Sequence, residues 1–454
     1  MTHFDAVIIG FGKGGKTLAS EFAKNGKSVA VIEKSADMYG GTCINIACIP
    51  TKSLVHSADK RKYFKNSKAE FYAHAVNEKD ELTSFLRNKN FHMLDEQEKI
   101  MVITGNASFL SDDKVQVKTL EEQFEVTADN FFINTGATPI IPTIDGLKEA
   151  KYIYNSTTLQ EQGQLPEKLI IIGGGYIGLE FASMYANFGS EVTVVDGNKE
   201  FLPNEDRDIA AEVKKVLEAK NIKIIENSKV ESVKNQDEGV VVTYKMNDNT
   251  TNEISSSALL LATGRKPNTE GLGLENTSVK VNDRGAVVVD DTLKTEVDNI
   301  WAIGDVNGGP QFTYISLDDF RIVKDQLFGD GIYTKKQRSN VPYSVFIDPV
   351  LSHVGMNEKT AKEKGIQYKL VSMSAAGIPR ARIVGQTEGL LKALIDPKTN
   401  EILGCTLFCA ESSEMINVVR VAIEAKLPYT FLRDTIFTHP TMSESLNDLF
   451  SKVE

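Results

Sequence analysis

The chain has 454 residues and a formal net charge of −11, with hydrophobic residues at 41% and charged residues at 25%. This composition is typical of a soluble globular protein of roughly two to four domains, and it excludes disordered, collagen-like and disulfide-scaffold proteins. No apolar run reaches the roughly 18–20 residues that span a bilayer, and the acidic balance argues against a nucleic-acid binder. We therefore expect neither membrane nor nucleic acid as a partner. The N-terminus has no secretory pattern, which predicts a cytoplasmic protein.

The first predicted elements, over residues 4–33, have the order of a Rossmann unit. An apolar strand, FDAVIIG, leads into the glycine turn GFGKGG, a helix, and a second strand that ends at Glu33. The pattern Gly10-x-Gly12-x-x-Gly15 lets the backbone approach a pyrophosphate, and the carboxylate can accept ribose hydroxyls. This segment therefore predicts a dinucleotide site.

The next segment, GGTCINIACIPTK, carries Cys43 and Cys48. On a regular helix, residues five apart point about 140° away from each other, so the sulfurs can bond only if the helix start is distorted. The glycines before Cys43 and Pro50 after Cys48 fit such an irregular start, and a helix N-terminus also lowers the pKa of a thiol. Directly after a dinucleotide unit, this pair is interpreted as redox-active.

Segment 168–196 repeats the order of the first unit with Gly173-x-Gly175-x-x-Gly178 and a final Asp196. A carboxylate at this position accepts hydrogen bonds from a free ribose 2′-OH and repels a 2′-phosphate, which favours NADH over NADPH. Two dinucleotide sites in one chain suggest one carrier held permanently and a second one that exchanges.

Beyond about residue 341 the pattern changes to alternating strands and two helices. EGLLKALIDPKTNEILGCTLF predicts a hairpin with its turn at Pro397–Asn400. Its cysteines, Cys405 and Cys409, lie about 13 Å apart on one strand face and are interpreted as core residues. The second helix is predicted over PYTFLRDTIF.

Together the elements predict an α/β protein with two Rossmann-type dinucleotide-binding domains and a C-terminal α/β domain that contains an antiparallel sheet. The first domain is expected to be discontinuous and to carry a helical insertion at 57–100 without readable chemistry. The expected boundaries are 1–145 and 270–340 for the first domain, 146–269 for the second and 341–454 for the third.

GGTCINIACIPTK closely resembles the active-site signature of the class I pyridine nucleotide-disulfide oxidoreductases, which include lipoamide dehydrogenase, glutathione reductase and mercuric reductase. The resemblance covers essentially the whole chain through both fingerprints, ATGRKPN, IWAIGD and HPTMSE. Within the family, GTCINIACIPTK, QFTYISLDDFR and HPTMSESLNDLF are most similar to the reactive-chlorine-resistance branch, the RclA-like proteins. The resemblance implies a glutathione reductase-like fold whose C-terminal domain makes a homodimer.

The resemblance also implies two cofactors, FAD and NADH, with NADPH possible in place of NADH. The implied FAD contacts are Gly10, Gly12, Gly15, Glu33, Thr42, Lys52, Ala107, Thr135, Gly136, Asp305 and Thr313. The implied nicotinamide contacts are Gly173, Gly175, Gly178, Glu180, Asp196 and Gly264. No residue is assigned to a resident metal.

The cysteines take different roles in the family. Cys48 is the sulfur implied to lie beside the flavin, forming a charge-transfer pair when reduced, and Cys43 is the outer thiol that attacks the substrate. Lys52 is implied to lie near the flavin N5 edge and to pair with Glu180.

His439 and Glu444 match the family's proton-transfer pair, in which a second subunit supplies the histidine. Histidine can exchange a proton with Cys43 near neutral pH, and a carboxylate fixes its tautomer. The dimer is therefore implied to be part of the active site.

The leading hypothesis is an NAD(P)H-dependent flavoenzyme that passes electrons through FAD to Cys43–Cys48. The acceptor beyond them is expected to be a metal ion such as Cu(II), or another oxidant, in defence against oxidative or reactive-chlorine stress. One alternative is a dihydrolipoamide dehydrogenase, and another is a flavin-based redox sensor without turnover. The presence of His439 and Glu444 argues against the sensor, which needs no proton-transfer pair.

Overall fold

The computed structural model describes residues 2–454, which form two compact units. The first unit comprises the chain up to Leu54, His74–Ile140 and Gly264–Arg338. The second comprises Val55–Ala73, Ile141–Thr263 and Ser339–Glu454. Both units are therefore assembled from separate segments of the chain.

The strands in this part of the chain are β1 (Thr2–Ile9), β2 (Val29–Glu33), β3 (Ile100–Thr104), β4 (Asn106–Ser111), β5 (Lys114–Lys118), β6 (Gln123–Ile133), β7 (Ala137–Pro139), β8 (Ile153–Asn155), β9 (Lys168–Ile172), β10 (Glu191–Val195), β11 (Ile222–Ile225), β12 (Ser228–Gln236), β13 (Gly239–Met246), β14 (Thr251–Ser256), β15 (Ala258–Leu261), β16 (Arg265–Pro267), β17 (Ile300–Ala302), β18 (Tyr343–Val345), β19 (Leu351–Gly355), β20 (Lys369–Ser374), β21 (Leu390–Ile395) and β22 (Ile402–Phe408). The α-helices are α1 (Lys13–Lys24), α2 (Thr42–Asn45), α3 (Cys48–Lys60), α4 (Lys68–Asp95), α5 (Tyr176–Phe188), α6 (Arg207–Ala219), α7 (Thr313–Phe328), α8 (Glu358–Glu363), α9 (Pro379–Val384), α10 (Ser412–Glu424), α11 (Tyr429–Asp434) and α12 (Ser445–Phe450).

The first unit is built on a sheet in the order β3-β2-β1-β6-β5-β4, and β17 also pairs with β6. Strands β3, β2, β1, β6 and β17 run parallel, whereas β5 and β4 extend the sheet by antiparallel pairing. Every residue of β2 is buried, as expected for a strand covered on both faces. Leu18 of α1 and Ile322 of α7 pack in one core beside Phe132 of β6.

The second unit contains a parallel sheet in the order β11-β10-β9-β15-β8, which is the second Rossmann sheet. Two antiparallel sheets accompany it, β12-β13-β14 and β18-β19-β22-β21-β20. Helix α10 packs on the larger one, where Val419 lies in one core with Leu391 and Leu407. The predicted fold class is confirmed.

The predicted C-terminal hairpin is confirmed in β21 and β22, and Asn400 occupies a left-handed conformation in its turn. Cys405 and Cys409 are both buried, as expected for core residues. The helix predicted over PYTFLRDTIF is shorter than expected, because α11 ends at Asp434. The side-chain amide of Asn447 donates to the carbonyls of Leu432, Arg433 and Thr435 around that end, and so caps the helix although the apolar pattern continues beyond it. Among residues 2–454, no helix has the length and apolar character to cross a membrane.

Candidate functional site

The first fingerprint turn lies between β1 and α1 and is held by a buried side chain. Gly10 has φ +103, and a Cβ there would overlap the Asn134 carbonyl, so the position requires glycine. Asn134 Oδ1 accepts the Gly15 N–H at 3.0 Å, and its Nδ2 donates to the Ile303 carbonyl at 2.8 Å. Sequence reasoning missed Asn134, which directly follows β6 and whose partners lie far along the chain.

Glu33 ends β2 as a buried carboxylate beside the fingerprint turn. Its Oε2 accepts the Phe11 N–H at 3.0 Å and its Oε1 the Ser35 N–H at 3.4 Å. Burial raises the pKa of Glu33, and these backbone bonds oppose the rise. The Gly105 N–H donates to the Glu33 carbonyl at 2.9 Å, which brings the start of β4 and Ala107 to the same edge of the sheet.

Asp305 begins a short 3-10 turn directly after β17. Burial raises the pKa of its carboxyl, whereas the nearby Arg265 guanidinium lowers it. Asp319 is 0% exposed and accepts the Gly304 N–H at 2.7 Å. Its other oxygen pairs with Arg338. Sequence reasoning missed Asp319, which fixes the backbone just before Asp305.

The helix is interrupted between the two cysteines. Helix α2 is a single turn that ends at Asn45; the next residue, Ile46, has the non-helical angles φ −138 and ψ 0, and α3 begins at Cys48. Both cysteines are free thiols, with Cys43 partly buried and Cys48 exposed. A hydrogen bond with Cys48, followed by burial, raises the pKa of Cys43. The two thiols are therefore in contact, as the distorted helix start predicted.

Thr313, the first residue of α7, faces this pair. Its Oγ1 lies 3.5 Å from Cys48 Sγ, and its hydroxyl lowers the pKa of Cys43 by hydrogen bonding. The thiols therefore lie at the N-terminus of a 16-residue helix, which favours negative charge on sulfur.

The cysteine turn is packed on the fingerprint turn. Gly41 has φ +79, and a Cβ there would lie 2.7 Å from Gly12 Cα, so the two backbones approach too closely for any other residue. Thr42 follows, and its Oγ1 would lie 3.9 Å from a Cβ at Gly136. The first fingerprint, Thr42 and Gly136 are thus brought together within the first unit.

Strands β7 and β16 pair antiparallel and place two further candidate positions, Thr135 and Gly264, at opposite ends of their ladder. Thr135 Oγ1 donates to the Asn268 carbonyl at 2.7 Å. Gly264 accepts the Ile140 N–H at 2.9 Å and lies in the first unit, although we expected it among the nicotinamide contacts.

Helix α4, from the insertion without readable chemistry, supports the cysteine segment. Arg87 Nε donates to Asn45 Oδ1 at 2.8 Å, and the Asn45 side-chain amide donates to the Tyr39 and Gly41 carbonyls. The rings of Tyr39 and Phe91 stack with their centroids 4.7 Å apart. The insertion therefore holds the loop from which Cys43 projects.

The second fingerprint lies between β9 and α5, with Gly173 after the strand and Gly178 within the helix. Gly175 is the N-cap of α5, and a Cβ there would meet nothing within 4 Å. The N-terminus of α5 is thus open on the side from which a pyrophosphate would approach.

Asp196 follows β10 and is buried beside this turn. It accepts the Asn198 side-chain amide at 3.0 Å, and a Cβ at Gly174 would lie 2.7 Å from its Oδ2. The carboxylate therefore borders the glycine turn, as a ribose acceptor must. Sequence reasoning missed Asn198, which orients this carboxylate.

Two further candidates lie on different helices. Lys52 is on α3 in the first unit. Glu180 is buried on α5 in the second unit, where its Oε1 accepts the Phe346 N–H at 2.9 Å.

His439 and Glu444 form a hydrogen-bonded pair. His439 Nδ1 lies 2.8 Å from Glu444 Oε2, and the other carboxylate oxygen accepts the Thr441 N–H at 3.2 Å. The side chain of His439 is 71% exposed. Because Nδ1 is engaged, Nε2 is the nitrogen that faces outward for proton exchange.

Comparison with known families gives two matches. Residues 4–319 match the family described as "Pyridine nucleotide-disulphide oxidoreductase", and residues 341–450 match its dimerisation domain.

Similar proteins cover the whole chain. A protein of Escherichia coli (strain K12) named "Probable pyridine nucleotide-disulfide oxidoreductase RclA" is 50% identical over 100% of both chains. A mercuric reductase of Lysinibacillus sphaericus is 32% identical over 98% of this chain and 81% of its own. A dihydrolipoyl dehydrogenase of Geobacillus stearothermophilus is 31% identical over 97% of this chain and 94% of its own.

Among solved structures, the fold is similar to that titled "Cu(II) complex of HOCl-induced flavoprotein disulfide reductase RclA from Escherichia coli". The TM-score is 0.95 at 50% identity, with 100% of both chains covered.

Proposed function

The chain belongs to the pyridine nucleotide-disulphide oxidoreductase family, and from this membership we propose that it uses NADH to reduce a Cys43–Cys48 disulfide and passes the electrons on to Cu(II) or another oxidant. The observation that carries the proposal is the contact between the two thiols at the N-terminus of α7. Cu(II) is proposed as an acceptor because the similar Escherichia coli flavoprotein was solved as its Cu(II) complex.

The family works with FAD and a pyridine nucleotide, and the first unit fits a dinucleotide. Its fingerprint backbone is close-packed against Asn134, and the helix N-terminus and Glu33 lie at the same sheet edge. We assign FAD to this site, with Asp305 and Thr313 contributing from the third segment of the unit. When bound, FAD supplies a two-electron carrier between nicotinamide and the thiols.

The nicotinamide nucleotide is assigned to the second unit. The open N-terminus of α5 at Gly175 suits its pyrophosphate, and Asp196 suits a free 2′-OH, so NADH is the proposed donor. We propose that Lys52 contributes to the FAD site of the first unit and Glu180 to the nicotinamide site of the second.

The thiols carry the second half of the reaction. Two electrons and two protons convert the disulfide into two thiols, and oxidation of the dithiol by two Cu(II) ions restores the disulfide with release of two Cu(I) and two protons. We propose that Cys43 is the outer thiol that meets the acceptor. His439 from a second copy of the chain takes its proton, oriented by Glu444 as in the pair described above.

The test compares Cys43→Ser, Cys48→Ser and, as control, Cys405→Ala, which removes a buried thiol elsewhere. Anaerobic NADH, with NADPH in parallel, should expose two additional titratable thiols per oxidised wild-type chain and in the control, but not in either serine variant. NADH-dependent Cu(II) reduction should fall at least about 100-fold in both serine variants, because neither can close the disulfide. Full Cu(II) turnover in Cys43→Ser would overturn the proposal.

The same assay separates the alternatives. Rapid turnover with dihydrolipoamide and NAD⁺, but none with Cu(II), would favour the dihydrolipoamide dehydrogenase. A single reduction by NADH, without repeated turnover on lipoamide, oxidised glutathione, Cu(II), Hg(II) or quinones, would favour the sensor.

A further inference from the structure

Lys16 is a buried cation next to the cysteine segment. It lies on the first turn of α1, directly after the fingerprint, and is 5% exposed. Its Nζ donates to Asn90 Oδ1 and lies 3.5 Å from the Gly40 carbonyl oxygen. Gly40 is three residues before Cys43, and Asn90 belongs to the supporting helix α4.

Keeping an ammonium in this place costs free energy. Both oxygens that Lys16 contacts are neutral, and a buried charge normally requires a charged or strongly polar partner. Burial, with a smaller contribution from Lys13, lowers the pKa of Lys16 to about 8, while the charge of the Cys43 thiolate acts in the opposite direction. Lys16 is therefore electrostatically coupled to the outer thiol.

We propose that Lys16 is a positioning residue for Cys43: its ammonium stabilises the Cys43 thiolate in the reduced enzyme, and its hydrogen bonds fix the loop that carries this thiol. The inference rests on the proposed function, because only a reduced outer thiol needs such support. Neither the glycine fingerprint nor the cysteine signature requires a lysine here.

The charges around Cys43 show why the support is needed. The Cys48 thiol on α3 and burial both raise the pKa of Cys43, whereas the Thr313 hydroxyl on α7 and the Lys16 ammonium on α1 lower it. Arg265 and Tyr314 interact electrostatically with Cys48.

The stabilisation of the Cys43 thiolate by Lys16 should decrease as the pH rises. Lys16 acts as a cation while it is protonated, so its effect on Cys43 is present at neutral pH and is lost as the pH rises through about 8. Arginine stays charged in this range and retains the effect at higher pH.

The experiment uses the full-length protein, reduced with excess dithiol that is then removed. The alkylation rate of Cys43 by iodoacetamide is followed peptide by peptide with mass spectrometry, from about pH 6 to about pH 10, a range that brackets the ordinary thiol pKa. The variants are Lys16→Met and Lys16→Arg. The matched control is Lys24→Met, an exposed lysine at the other end of the same helix.

At pH 7 we expect alkylation of Cys43 to slow about tenfold in Lys16→Met, equivalent to about one unit in the thiol pKa. Lys16→Arg should stay within about twofold of wild type at pH 7, and Lys24→Met should not change. An unaltered rate profile in Lys16→Met would overturn the proposal. Equal losses in the Met and Arg variants would also overturn it, by showing that packing rather than charge matters.

The alkylation experiment can be interpreted whether or not the proposed function is correct. Chemical reduction prepares the dithiol whether or not NADH can, so the alkylation profile tests Lys16 even if NADH yields no thiols. Conversely, if NADH yields two thiols in every variant and the profiles coincide, the proposed function stands and the role of Lys16 is rejected.

Discussion

Asn134 satisfies polar groups on two parts of the first unit with a single buried amide, which bonds the fingerprint turn on one side and Ile303, the residue after β17, on the other. Substituting it with alanine leaves the Gly15 N–H and the Ile303 carbonyl without this partner. A buried group that loses its hydrogen bond costs about 1–3 kcal/mol.

We therefore expect Asn134→Ala to lower the free energy of unfolding by about 2 kcal/mol and to weaken retention of FAD. Thermal unfolding and the flavin content after dialysis measure the two effects. Asn25→Ala removes an exposed amide that bonds only its own helix, and should change neither. A wild-type flavin content in Asn134→Ala would contradict this role of the amide.

Residues that act through the local backbone could be found from the sequence. The fingerprint glycines and the cysteine pair are recognisable because their spacing along a few residues determines what they can do. Asn134, Asp319 and Lys16 could not be found in this way. Their partners lie far along the chain, as with the 119 residues between Asn134 and Gly15, and no local pattern encodes such a contact.

Helix α4 supports the cysteine segment through its second half. Arg87 donates to Asn45 after Cys43, and Phe91 stacks on Tyr39 before it. Asn90 accepts from Lys16, which in turn reaches the Gly40 carbonyl. Such support limits local opening of the loop without adding to its hydrophobic core. The helix should therefore affect the dynamics of the thiol segment more than the stability of the unit.

Arg87→Ala should speed amide hydrogen exchange over residues 41–46 by about tenfold, because the Asn45 side chain loses the donor that holds it. Exchange in β1 should remain unchanged, and the thermal midpoint should move by little. The control is Lys89→Ala, which alters an exposed neighbour on the same helix. Unchanged exchange over 41–46 would show that α4 does not hold the loop.

Regular elements followed from periodicity, whereas their ends depended on distant residues. The parallel strands are continuous apolar runs, and the distorted start at the cysteines follows from helix geometry and the flanking glycines and proline. The end of α11 depends on Asn447, which is 12 residues beyond Thr435 and gives no signal in the helix itself. The supporting role of α4 was also not predictable, because its contacts follow no sequence motif.

Lys392 joins the second Rossmann part to the C-terminal sheet within the second unit. It lies on β21 with a side chain 1% exposed, and its ammonium pairs with Asp206, Asp208 and Glu358. A buried cation among three carboxylates leaves uncompensated negative charge when it is removed.

We expect Lys392→Met to lower the free energy of unfolding of this unit by about 3 kcal/mol at pH 7. Urea unfolding followed by circular dichroism measures the change. Lys398→Met, in the exposed turn that follows β21, should leave stability within about 0.5 kcal/mol of wild type. A small loss in Lys392→Met would mean that the carboxylates are neutral or hydrated in the folded protein.

The difference in the free energy of unfolding between wild type and Lys392→Met should decrease in acid. Burial acts to raise the pKa of Glu358, but hydrogen bonds from Lys392, Tyr368 and Lys362 outweigh it and lower the pKa to about 2. The folded pKa is below the unfolded value, so this stabilisation is present above about pH 4.5 and is lost as the pH falls toward 2. The stability difference between wild type and variant should therefore shrink between pH 5 and pH 2, and a constant difference would contradict the pairing.

The order of segments in the first unit has a consequence for synthesis on the ribosome. Strand β17 pairs with Phe131–Ile133 of β6, yet it is translated 169 residues after that edge is complete. At translation rates of roughly 5–20 residues per second, the nascent chain carries an incomplete sheet for about ten to thirty seconds. Throughout that interval the apolar end of β6 lacks its native neighbour and is open to pairing with other strands.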